Sequence, residues 1–269
     1  MKYLVTNADD FGFTRDVNEG IVMAHRDGIL TATTLMANGD AFDHAVHLAS
    51  QTPTLDIGCH LVLIGGQSLL DPDRRLPSSI FDFTTQVYAG KLKIYDELAA
   101  QVRKIMATGI VPSHLDTHKH THLLPSVFNA VRRVALDFNI PWVRRPIDFP
   151  APVKAELGQR ITGSLIRHFG PKMDFTGLRY TDHFWGFAVT GRLDSAALLD
   201  IIQYIPDGVT ELMTHPGHLT DQLRAAPTRL KESRMVELAA LTSQSVKKAI
   251  ATAGIALVNY HQLNQEFPQ

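Results

Sequence analysis

Residues Tyr3-Leu4-Val5-Thr6-Asn7 run directly into Ala8-Asp9-Asp10-Phe11-Gly12, so an apolar strand ends in two adjacent carboxylates and a glycine. Two neighbouring ionised Asp side chains repel, and each needs hydration or a cation. If the apolar run is a buried strand, the pair sits at its carboxyl end, where α/β folds keep their chemistry. A metal ion on at least one of them is the simplest way to hold both in a cleft. Such a site requires further ligands elsewhere in the chain.

The remainder alternates strand and helix. Asp16-Val17-Asn18-Glu19 has capping-box spacing and opens a helix through Val17, Ile21 and Ala24, stopped at Gly28. Ile29 to Met36 is rich in β-branched residues and reads as a strand, and Ala41 to Ser50 as a short helix with Ala45, Leu48 and Ala49 inward. From Leu55 to Leu63 the alternation is clear: Leu55, Ile57, Cys59, Leu61 and Leu63 share one face, Asp56, Gly58 and His60 the other. In a barrel the first set packs on helices and the second points at the axis.

Ile64 to Lys93, punctuated by Gly65-Gly66, Asp71-Pro72 and Pro77, is a long connection expected to wall a cleft. Helices follow over Glu97–Thr108, Pro125–Phe138, Lys154–Phe169, Asp194–Ile205 and parts of Leu230–Ala253. Strands are expected at Pro141–Arg145, Gly208–His215 and Ile255–Tyr260. Repeated strand–helix units indicate a mostly parallel sheet. At 269 residues this favours a TIM-like (β/α) barrel, distorted or incomplete, over an open sheet. No G-x-G-x-x-G follows the first strand, which argues against a dinucleotide fold. One domain spanning 1–269 is the economical reading.

Net charge is −1 and no long basic run occurs, so nucleic acid is not an expected partner. Cys59 is the single cysteine, which rules out an internal disulfide framework and fits a reducing compartment. The chain shows no signal stretch and no apolar run near the ~20 residues that span a bilayer. A cytoplasmic protein without a membrane partner is the expectation.

The 13 histidines are the unusual figure. In His114-Leu115-Asp116-Thr117-His118-Lys119-His120-Thr121-His122, strand alternation puts His114, Asp116 and His118 on one face, with His120 and His122 able to turn to the same mouth. Imidazole is a frequent ligand for zinc and similar ions, and carboxylates complete such sites. A lone strand histidine such as His60 is more often a satisfied core residue. Its place at a strand end, on the polar face, sets it beside Asp9-Asp10 and the His118 cluster. His215, in Met213-Thr214-His215-Pro216-Gly217, reads equally as a turn histidine or as a proton donor held at the rim by the following proline. Arg144-Arg145 could pair with the carboxylates and keep one ionised. Trp185, in Asp182-His183-Phe184-Trp185-Gly186, offers an aromatic face for a sugar ring or simply a core side chain.

Taken together, Asn7-Ala8-Asp9-Asp10-Phe11-Gly12, Gly58-Cys59-His60-Leu61, His114 to His122 and Glu211-Leu212-Met213-Thr214-His215-Pro216-Gly217 resemble the YdjC-like carbohydrate deacetylase family, relatives of chitooligosaccharide and hopanoid-associated deacetylases. The resemblance runs in order from Leu4 to Gly217. It implies a distorted, NodB-deacetylase-like (β/α) barrel and a metal-dependent hydrolase that removes the acetyl group from an N-acetylated sugar. It further implies one divalent ion, Mg²⁺ or Zn²⁺, on Asp10, His60 and His118, with Asp9 as base and His215 as proton donor. Substrate contacts are expected from Asp116, His120, His122, Arg144 and Trp185, and a homodimer from the family. Lys119 interrupts the usual run of consecutive histidines, which bears on the substrate edge. A metal-dependent phosphoesterase or other amidohydrolase on the same barrel is the alternative enzyme, and a non-catalytic sugar-binding relative the alternative class.

Overall fold

The computed structural model describes residues 1–147 and 173–267. Among these, the strands are β1 (Lys2–Phe11), β2 (Ala32–Leu35), β3 (Asp56–Leu61), β4 (His114–Thr117), β5 (Trp142–Val143), β6 (His183–Trp185), β7 (Gly208–Thr214) and β8 (Ile255–Leu257). They form one sheet in the order β5-β4-β3-β2-β1-β7-β6, with β8 beside β1. Every ladder is parallel. The sheet curls into a half-barrel, and Trp142 of β5 forms an isolated bridge to Arg179, which precedes β6 in the chain.

β1 is the centre. β7 pairs with one edge from Lys2 to Ala8, while the other edge is shared. β8 takes Lys2, Tyr3 and Leu4, and β2 takes Asn7, Ala8 and Phe11. The strand is therefore buried from Leu4 to Phe11, which its apolar run permits.

Period-2 alternation sorts the side chains into two layers. Leu4, Ala8, Leu35, Ile57, Cys59, Leu61, Leu115 and Leu212 join the outer apolar core with Val17, Ile21, Ala45, Leu98, Val102, Val131 and Leu198 from the surrounding helices. Each fully buried Leu, Ile or Val contributes roughly 1.5–3 kcal/mol. The inner face is polar instead, with Asn7, Thr34, Asp56, His60, His114, Asp116 and Glu211 all buried. His114 stacks on Tyr260 at 4.0 Å between ring centroids. A Cβ on Gly58 would lie 2.6 Å from that imidazole, so only glycine leaves it room.

Some local expectations change. The first helix, Arg15–Asp27, is capped by Thr14, whose Oγ1 accepts from Val17 N, and not by Asp16. Asp16 turns inward to accept from Thr220 Oγ1 and from Leu223 N at 2.9 Å. The 64–93 connection contains a helix, Ile80–Tyr88. Ahead of that helix, the turn at Ser68–Leu70 is fixed by buried Glu97, which accepts from Ser68 Oγ and from the amides of Leu69 and Leu70. β6 was not anticipated, and the expected helix Lys154–Phe169 lies outside the described residues. Among the described residues no helix is long and apolar enough to cross a membrane.

Candidate active site

At the carboxyl end of β1 the strand geometry breaks. Asp10 has φ +70°, and the β1–β2 register shifts between Ala8 and Phe11. A regular strand would send Asp9 and Asp10 to opposite faces. The left-handed backbone at Asp10, at a cost of roughly 1 kcal/mol, aims both carboxylates into the barrel mouth. Asp10 itself carries this reversal, and Gly12, at φ +95°, completes the turn.

Three donor atoms converge there. Asp10 Oδ1 is 3.4 Å from His60 Nε2 and 3.3 Å from His118 Nδ1, and the two imidazole nitrogens are 3.3 Å apart. A tetrahedral ion ~2.0–2.1 Å from each donor would set them ~3.3–3.4 Å from one another. His60 comes from β3; His118 begins a 3₁₀ turn, His118–Leu123, in which Lys119 and His120 both adopt positive φ. The far nitrogen of His60 is fixed: Nδ1 donates to Asp116 Oδ1 at 2.7 Å, and Thr34 Oγ1 donates to Asp116 Oδ2 at 3.1 Å. β3–β4 register places His60 beside Asp116. With Nδ1 carrying the proton, Nε2 turns its lone pair to the other two donors, the carboxylate–histidine arrangement of metal sites. Burial opposes charge on His60, but Asp116, Asp10 and Asp9 outweigh it and lift its pKa to about 10. The position favours a cation, whether a proton or a metal ion.

Asp9, His60 and Asp116 also lie close enough to share an ion. Arg144 already occupies that side. Its Nη2 and Nη1 donate to Asp9 Oδ1 and Oδ2 at 2.7 and 2.8 Å, Nη1 reaches Asp116 Oδ2 at 2.7 Å, and Nε donates to Glu211 Oε1 at 2.7 Å. A second cation there would face a guanidinium, so the Asp10–His60–His118 group is the better candidate to hold a metal ion. Burial works to raise the Asp9 carboxyl, yet Arg144 holds it well below the usual range. Asn7 Nδ2 adds a hydrogen bond to Asp9 Oδ1 at 3.1 Å.

On the other side, Arg234 Nη2 donates to Asp10 Oδ2. Arg234 against Asp10 and Arg144 against Asp9, Asp116 and Glu211 leave the buried centre with more carboxylates than guanidinium groups, an excess that one divalent ion balances. His215 follows β7, its Nε2 3.9 Å from Asp9 Oδ2 and its backbone N–H donating to Glu237 Oε2 at 2.6 Å. Gly217 packs so tightly on the first helix that a Cβ at Gly20 would lie 2.5 Å from its Cα, which fixes the loop carrying His215. Burial pushes the His215 pKa down to about 4 despite Asp9 and Asp10.

The expected substrate contacts are placed differently. Asp116, His122 and Arg144 are buried, with side chains committed to protein partners; His122 sits between Thr117 Oγ1 and Arg144 O. Trp185 is 3% exposed and belongs to the outer apolar core, because alternation along β6 turns Phe184 and not Trp185 to the interior. It presents no stacking face. His120 is half-buried beside Phe187, with ring centroids 5.4 Å apart, and its Nδ1 has no partner among the described residues. Arg145 turns to Tyr180 instead of the carboxylates. Arg234, Glu237, Asn7 and Thr34 were not anticipated. A cavity of about 690 Å³ at the amino end of the strands, lined by Tyr3, Trp142, Arg179 and Tyr180, contains none of these groups.

The fold and centre define an α/β half-barrel with a His–His–Asp donor set at its strand ends. The chain belongs to the YdjC-like protein family, which it matches over residues 3–252. It is 33% identical over 267 residues to the carbohydrate deacetylase of Brevibacillus brevis, covering 97% of this chain and 99% of that one. To the carbohydrate deacetylase of Geobacillus stearothermophilus it is 32% identical over 265 residues, covering 97% and 98%. A crystal structure from Enterococcus faecalis V583, of a protein named for cellobiose-phosphate cleavage, superposes with a TM-score of 0.74 at 27% identity, covering 97% of this chain and 98% of that one.

Proposed function

We propose that the chain is a metal-dependent carbohydrate N-deacetylase, releasing acetate from an N-acetylglucosamine-containing sugar. The observation that carries this reading is the Asp10–His60–His118 donor triangle, flanked by Asp9 on one side and His215 near it. Its deacetylase relatives point to the same chemistry.

Asp10, His60 and His118 would hold one divalent ion, zinc or magnesium. When bound, the ion supplies a Lewis acid for the acetyl carbonyl and lowers the pKa of the attacking water. Asp9 accepts that water's proton. Held ionised by Arg144, it is a weak base, so it depends on an acidified water and is available at every working pH. His215 gives the departing amine its Nε2 proton. Asp116 and Thr34 fix the His60 tautomer, and Arg144 fixes Asp9. His120 and Phe187, at the mouth, are the groups available to a sugar.

A two-ion phosphoesterase is the competing reading. The guanidinium of Arg144 across Asp9 and Asp116 disfavours a second ion. The test is acetate release by the metal-reconstituted protein from N-acetylglucosamine, N,N′-diacetylchitobiose and longer oligomers, with metal stoichiometry measured alongside. Release with one ion per chain is expected. No release from any N-acetylated sugar, or two tightly bound ions, overturns the reading.

A further inference from the structure

His215 lies between two carboxylates. Its Nε2 is 3.9 Å from Asp9 Oδ2, and its Nδ1 is 4.0 Å from Glu237 Oε2. Glu237, on the helix Glu232–Thr242, is 1% exposed. Its Oε2 accepts the His215 backbone N–H at 2.6 Å, while its Oε1 is buried with no hydrogen-bond partner among the described residues. We propose that Glu237 is a positioning and proton-holding residue that acts through His215, within the deacetylation proposed above.

The need arises from the imidazole. A neutral histidine can give up its Nε2 proton only if Nδ1 gains one, since the imidazolate is too basic to form. The surroundings work against a resting imidazolium: burial, with Arg234 and His60, keeps the His215 pKa near about 4 against the pull of Asp9 and Asp10. Burial in turn raises Glu237 to about 7, helped by Asp9 and opposed by the His215 and Gly191 amides and by Arg234. Near neutral pH the available proton therefore sits on the carboxyl and not on the ring. Oε2, the carboxyl oxygen 4.0 Å from Nδ1, is the one from which that proton would pass to the ring.

The step balances without any other reactant. As the C–N bond breaks, its electron pair stays on nitrogen, which takes the Nε2 proton of His215. Nδ1 takes the carboxyl proton of Glu237, leaving a carboxylate. The proton that Asp9 took from water then returns through His215 to Glu237, and each turnover consumes one water. The 4.0 Å separation exceeds a hydrogen bond; such contacts are often long in a free enzyme and tighten when substrate binds.

Glu237→Gln keeps an acceptor for the His215 amide and removes the proton store. Assayed in the full, metal-reconstituted chain on N,N′-diacetylchitobiose, it is expected to lower kcat about 100-fold or more with KM unchanged. The alkaline limb of the wild-type kcat/KM profile, centred near the Glu237 value of about 7, should disappear. Glu237→Asp, which keeps a titratable carboxyl, should retain such a limb. On an aryl acetate, whose phenolate leaves without a proton, Glu237→Gln should match the wild type. An unaltered kcat and pH profile in Glu237→Gln, or an equal loss on amide and ester, overturns the proposal alone. A wild-type chain inert on every N-acetylated sugar overturns the functional reading and the proposal with it.

Discussion

Arg234 holds Asp10 from behind: its Nη2 takes Oδ2, so that only Oδ1 faces His60 and His118. Asp10 thus offers one oxygen to the donor triangle, and its second is neutralised by a guanidinium that is itself 1% exposed.

Arg234→Met should therefore leave a buried carboxylate unpaired. A loss of about 3–5 kcal/mol is expected in the metal-free protein. A divalent ion that binds Asp10 would replace part of the missing positive charge and stabilises the folded state by linkage. The rise in Tm between chelator and added Zn²⁺ should then be larger in Arg234→Met than in the wild type. An equal or smaller rise would show that Asp10 is not a ligand.

Stability should depend on pH in a way that metal alters. The lowered carboxyls Asp9 and Asp10 contribute stability that is complete above their unfolded pKa of about 4 and is lost as pH falls below it through their lowered folded values. His114, His122 and His215, lowered to about 4, have the same sign between pH 4 and 6.5, because the unfolded chain binds more protons there. Glu237, raised to about 7, opposes them, as the folded chain keeps its proton above the unfolded value. His60, raised to about 10, contributes stability that is complete below about pH 6.5 and declines above it. The metal-free protein should gain stability from pH 4 towards neutrality, then lose roughly 3 kcal/mol between pH 7 and 9. With His60 on a metal ion that alkaline loss should vanish. Urea midpoints across this range, with and without chelator, check both limbs.

Asp116→Asn tests the fixed tautomer of His60. The carboxylate at 2.7 Å from Nδ1 makes Nε2 the outward lone pair, and outer partners of this kind are worth about 10–100-fold in metal affinity. A loss of that size is expected by competition against a chromophoric chelator. Affinity within about twofold of the wild type would mean that His60 does not bind the ion through Nε2.

The strand-end residues were legible because strand chemistry is local. Alternation through Leu55–Leu63 separates Cys59 from His60, and the structure puts the one in the outer core and the other at the axis. Asp9, Asp10, His118 and His215 follow from the same logic of apolar runs closed by turns. Arg234 and Glu237 were not legible in that way. Spaced three apart on a helix, they resemble a solvent-facing ion pair. The signal against that reading is that Met235 and Val236, which lie between them, are 50% and 43% exposed while both charges are buried. This is an inverted pattern that only the packing of the helix against Arg15–Asp27 resolves. The left-handed Asp10 was likewise hidden, since no residue type marks an aspartate that must break its own strand.

The aromatic assignment is the last to separate by experiment. Trp185 lies in the outer core at 3% exposure, whereas Phe187 is half-buried beside His120 at the mouth. Trp185→Ala should behave as a core deletion, costing about 3–5 kcal/mol, because the cavity it leaves can relax only in part. The milder Trp185→Phe should fold with KM for the sugar unchanged. Phe187→Ala should raise KM several-fold with a much smaller loss of stability, because a ring at the mouth contributes more to a sugar face than to the core. Denaturation midpoints and initial rates on the same substrate separate the two positions. A raised KM in Trp185→Phe with none in Phe187→Ala would restore Trp185 as the sugar platform and require the β6 end to turn outward on binding.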